Sequence, residues 1–125
     1  MNSLEHAHHE MVLKLAKPGA DIIASMTPEN AHLWHMASAL MAEAGELFDA
    51  VKKKVIYNKG EIDIANCIEE LGDMEFYMAG VRSGLGITRA STLHSNIEKL
   101  LKGKNARYAS GTYSDKAAQD RADKA

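Results

Sequence analysis

The chain has 125 residues, enough for one domain of ordinary size, and 46 % of them are hydrophobic, enough for a core. Its 15 basic and 17 acidic side chains leave a formal net charge of −2 with the cations dispersed, which argues against a nucleic-acid partner. A single cysteine, no apolar run near the ~18 residues that span a bilayer, and no apolar leader at the N-terminus make a cytoplasmic protein without disulfide or membrane span the expectation.

Few β-branched residues and only two prolines point to an all-α chain. Residues 3–16 form the first candidate helix, with Leu4, Met11, Val12 and Leu15 apolar, and it stops at Lys17-Pro18-Gly19. A short apolar piece, 21–24, follows. Thr27-Pro28-Glu29 then supplies a capping hydroxyl, a proline at the first helical position and an acid in the first turn. The helix they open should run to 55 or 56, about 42 Å at about 1.5 Å per residue. Leu33, Met36, Ala37, Leu40, Leu47, Ala50 and Val51 mark its buried side.

Residues 58–61 read as a turn, and Asp63 caps a helix reaching Leu85, closed by Gly84-Leu85-Gly86. Thr88 caps another through Leu101, with Gly103 beyond it. Residues 104–113 are loop-like, Ser114-Asp115 starts a last short helix, and 120–125 are expected to fray. The result is one domain over 1–125: a small antiparallel helical bundle with a core of about 28–103, an N-terminal helical extension over 1–26, and a C-terminal loop and short helix over 104–125. Such long helices with wide apolar sides leave surface uncovered in one copy, so a homodimer or higher homo-oligomer is expected.

In MAEAGELFDAVKKK a glycine stands between Glu43 and Glu46, where it weakens a helix by about 1 kcal/mol relative to alanine. Glu70-Leu71-Gly72-Asp73 repeats the pattern. Acids three apart share a helix face, and the 58–61 turn sets the two pairs at similar heights on antiparallel neighbours. Four carboxylates brought together repel one another unless a cation neutralises them, and hard oxygen donors suit Mg²⁺, with Mn²⁺ as a substitute. The plain alternatives are a solvated acidic face, and glycines placed for helix packing. Both pairs interrupt an apolar side, however, where unsatisfied acids are unfavourable.

WHMASALMAEAGELFDAVKKKVIYNKG, NCIEELGDMEFYMAGV, NIEKL and RYASGTYSDKAAQDRADK together resemble the MazG-like all-α nucleoside triphosphate pyrophosphohydrolases, in their compact single-domain bacterial and phage form, over roughly residues 32–124. The resemblance implies Mg²⁺ bound by Glu43, Glu46, Glu70 and Asp73, and cleavage between the α and β phosphates to a nucleoside monophosphate and pyrophosphate. Glu43 or Glu46 would be the general base; the sequence does not choose between them. Asn96 and Lys99 match polar positions that meet phosphate or sugar, and Lys53 and Arg107 are further cations suited to a polyphosphate. Trp34 and Tyr77 are candidates to stack on a base, with core packing as the alternative, and His35 stands where the motif tends to carry histidine. His6, His8 and His9 read as a solvated face.

One departure stands out: relatives follow NIxKL with an arginine-tyrosine pair, whereas Leu101-Lys102-Gly103-Lys104-Asn105 intervene here. Whether Arg107 reaches the phosphates turns on the path of that insertion. Other readings are a pyrophosphohydrolase of phosphoribosyl-ATP or of a guanosine alarmone, a non-catalytic helical interaction module, and, least supported, a nucleic-acid-binding bundle. Base and sugar preference are not readable.

Overall fold

The structure, a computed structural model, describes residues 2–124 and is all-helical over them. The last residue of the end expected to fray, Ala125, lies outside the described residues.

Helix α1 (Ser3–Leu15) begins with a reciprocal cap: the Glu5 amide donates to Asn2 Oδ1 and the Asn2 amide to Glu5 Oε2, both at 2.8 Å. The short apolar piece is helical, α2 (Gly19–Ala24). Helix α3 (Pro28–Val55) opens on the Thr27 hydroxyl, which accepts from the Asn30 amide at 3.1 Å. Helix α4 (Ile64–Leu85) opens on Asp63 and ends at Gly86, whose φ of 68° lets the Ile87 amide turn back to the Arg82 carbonyl. Helix α5 (Arg89–Ile97) runs into a single wide π-turn (Glu98–Lys102), and α6 (Asp115–Asp120) is followed by a 3₁₀ turn (Ala122–Lys124).

Helices α3 and α4 pack as an antiparallel hairpin, the one extensive helix–helix contact among the described residues. Its open end is held at close range by two glycines of α4. A Cβ at Gly80 would lie 2.8 Å from Met36 Cγ, and one at Gly84 would lie 2.8 Å from Leu33 Cδ2. Where α4 comes this near, His32 Nε2 donates to the Gly80 carbonyl at 2.9 Å. Toward the turn the hairpin buries Ala50 and Glu70.

The expected bundle is therefore realised within one copy as this hairpin alone. Helices α1 and α2 have no buried residue, and α5 packs chiefly on its own π-turn. The large side chains of α1 and α2 and many of those of α3 and α4 are open. The C-terminal end, expected to fray, is instead tied down. Arg107 Nε and Nη2 donate to Asp123 Oδ1 and Oδ2 at 2.7 and 3.1 Å, and the Asp123 side chain is only 2 % exposed. No helix is long and apolar enough to cross a membrane among the described residues.

Candidate metal centre

Glu43 and Glu46 project from one face of α3, as their spacing requires, and Glu70 meets them from α4. One carboxylate oxygen of each lies within 4.8 Å of the others. Glu70 is 8 % exposed, and its Oε2, like Glu43 Oε2, is buried without a hydrogen-bond partner. Orphaned buried oxygens are uncommon because they forgo solvation without replacement. A proton on Glu70 relieves part of this. The hydrogen bond it then makes to Glu43 is the largest cause, burial the next and Glu46 after it, and together they raise its pKa from 4.5 to about 7.

The donor set suits a divalent cation. Three carboxylates from two rigid helices supply hard oxygens, two of them have no other partner, and the third acid, Glu46, is open to solvent. Asp73, the fourth expected ligand, is exposed on the next turn of α4 and does not belong to the converging group of three.

Beside the acids lies an open groove of about 480 Å³ lined by Ala42, Gly45, Glu46, Asp49, Asn66 and Glu70. A Cβ at Gly45 or Gly72 would meet nothing within 4 Å, so neither glycine is required for packing within this copy; Gly45 lines the groove instead. Asp49 and Asn66 were not singled out from the sequence, although the same spacing rule reaches them. Asp49 stands three residues after Glu46, and Asn66 four before Glu70.

The remaining candidates separate. Lys53 does not line the groove, but its ammonium is 3.3 Å from Oδ2 of Asp49, which does. Asn96 and Lys99 line a second groove of about 440 Å³ with Ile87, Ser91, Thr92 and Ser95, and it shares no residue with the first. The insertion after NIEKL is looped out. The π-turn leaves the Lys99 and Leu100 carbonyls to accept from the Arg107 and Tyr108 amides at 3.0 and 2.9 Å, which returns the arginine-tyrosine pair to the motif's side. The Arg107 guanidinium is nevertheless engaged by Asp123. Tyr77 is half-buried and packs edge-on against Phe76 and His35, with centroids 5.1 and 6.3 Å away, whereas Trp34 is largely exposed.

No family model, curated protein or solved structure matches this chain.

Proposed function

We propose that the chain is a Mg²⁺-dependent nucleotide pyrophosphohydrolase that cleaves a nucleoside or deoxynucleoside triphosphate between its α and β phosphates. The observation that carries this reading is the convergence of Glu43, Glu46 and Glu70 with two buried carboxylate oxygens left unpartnered. The resemblance of the motifs set on those helices supplies the reaction class. Glu43, Glu46 and Glu70 would hold the ion, and Asp73, outside that converging group, would have to move to join them. When bound, Mg²⁺ neutralises phosphate charge and favours ionisation of water.

The chain's own acids divide the remaining work. Glu43 and Glu70 are sequestered and keep their orientation through the helix pair. Glu46 opens onto the groove and is the better placed of the two base candidates to take a proton from attacking water. Water adds to one phosphorus, the α–β bridging bond breaks, and monophosphate and pyrophosphate leave. We also propose a homo-oligomer, since a second copy would cover the apolar side chains this copy leaves open.

A panel of nucleotides with and without Mg²⁺, resolving pyrophosphate from orthophosphate and run beside Glu70→Ala, tests the reading. Metal-dependent pyrophosphate release that the variant abolishes supports it. Orthophosphate release refutes the bond assignment. Silence on triphosphates with Mg²⁺ still bound shifts the substrate to phosphoribosyl-ATP or an alarmone, and silence without metal binding leaves the interaction module.

A further inference from the structure

Three carboxylates repel a polyphosphate on every side that an ion does not bridge, so an approach for it needs donors and acid charge that is already balanced, as that of Asp49 is by Lys53 at 3.3 Å. The groove provides one in a single direction. Asp49 and Asn66 stand one turn nearer the connection between α3 and α4 than Glu46 and Glu70 do, so the groove runs from the acids toward the N-terminal end of α4. Its wall along α3 is low because Ala42 and Gly45 carry almost no side chain, and the space beside Gly45 is open.

One donor lines that groove and a second is paired to its wall. The Asn66 amide is satisfied by the Asp63 side chain at 3.0 Å, whereas its carboxamide makes no hydrogen bond among the described residues and lines the groove. The Lys53 ammonium is 3.3 Å from Oδ2 of Asp49, a lining residue, and is therefore one ion pair away from the groove. The cation expected from the NIEKL motif, Lys99, lines the other groove.

We propose that the substrate's polyphosphate lies in the α3–α4 groove on the turn side of the three acids, alongside Gly45, with the Asn66 carboxamide and the Lys53 ammonium as its polar contacts. This rests on the metal-dependent reading above and gives it a direction: the phosphates beyond the ion point toward the turn. Asn66, which opens the NCIEELGD stretch, is then a substrate contact outside the paired acids, and Gly45 is glycine because a side chain there would narrow the phosphate path.

The test separates metal from phosphate by titrating Mn²⁺ alone, then inorganic tripolyphosphate into the Mg²⁺-loaded protein, each followed by calorimetry. Lys53→Gln, an exposed change, and Asn66→Ala should each weaken tripolyphosphate by about three- to tenfold. Both should leave Mn²⁺ affinity within about twofold. Gly45→Val should weaken tripolyphosphate more than either, while Lys99→Gln should leave it unchanged. Unaltered tripolyphosphate binding in the Lys53 and Asn66 variants, with loss in Lys99→Gln, would overturn the proposal and put the phosphates along α5. Failure of the wild type to take up Mn²⁺ at all would remove the metal reading, and this inference with it.

Discussion

Glu43 and Glu70 approach each other from antiparallel helices, and each carries a buried oxygen that nothing among the described residues satisfies. Without a cation, a proton on Glu70 partly fills the role of the missing partner, which is why its pKa rises to about 7. The folded value lies above the ordinary one of 4.5, so the folded state holds the extra proton. Its stabilisation is complete below about pH 4 and is lost as pH rises through about 7. In chelator, the melting temperature should therefore fall between about pH 5 and about pH 8. Mg²⁺ affinity should rise over the same window, because the ion displaces the proton. A melting temperature without slope would refute the assignment.

Replacing Glu70 by Gln separates the two roles. The amide can still donate to Glu43 but brings no charge, so the variant should lose the pH slope in chelator and be the more stable protein above neutrality. It should also fail to gain stability from Mg²⁺ and lose more than about a hundredfold in hydrolysis. Thermal melts with and without the ion read the first two effects independently of activity. If the variant gained as much from Mg²⁺ as the wild type, Glu70 would not be a ligand.

The Arg107–Asp123 pair makes the C-terminal turn part of the fold. The guanidinium holds the Asp123 carboxyl at about 2, well below its ordinary 3.8, with burial partly opposing it. The folded value is the lower one, so this stabilisation is present above about pH 4 and disappears as pH falls toward 2. Asp123→Asn should release the segment after Tyr113 and speed its proteolysis roughly tenfold. Arg107→Lys should not substitute for the fork, which bonds both carboxylate oxygens. Unchanged protease resistance in Asp123→Asn would show that other contacts hold the tail.

The glycines make opposite predictions. Gly45→Ala adds a methyl group into open space and should stabilise the helix by about 0.5–1 kcal/mol. Gly84→Ala would set its Cβ 2.8 Å from Leu33 Cδ2 and 2.9 Å from His32 Cδ2, which should cost about 1 kcal/mol or more. Urea midpoints moving in the same direction for both would contradict the packing described.

The helix starts were legible because their signals are local: Thr27, Asp63, Thr88 and Ser114 each cap within three residues of themselves. Glu43, Glu46 and Glu70 were legible because helical spacing and a short turn nearly determine their juxtaposition. The exclusion of Asp73 was not, since it depends on how far α4 is rotated about its axis, and that rotation is set by contacts such as Gly80 against Met36. The return of Arg107 to Lys99 was hidden for a different reason. A π-turn changes the residue count per turn, and no hydrophobic period reports it. Asp123 looked like a fraying end because its partner lies sixteen residues away.

One side of α3 is left uncovered among the described residues. Trp34, Met41, Phe48 and Val55 recur every seven residues, and all are between 64 % and 73 % exposed. Seven-residue steps keep side chains on nearly one line of a helix, so these four form a continuous apolar stripe suited to another helix. In the proposed homo-oligomer a second copy supplies that helix. Sedimentation equilibrium should return a multiple of the chain mass, and Met41→Glu or Phe48→Glu should weaken association by at least about a hundredfold. Both positions are open in the single copy, so the variants should keep its helix content. A mass equal to one chain at every concentration would refute the homo-oligomer.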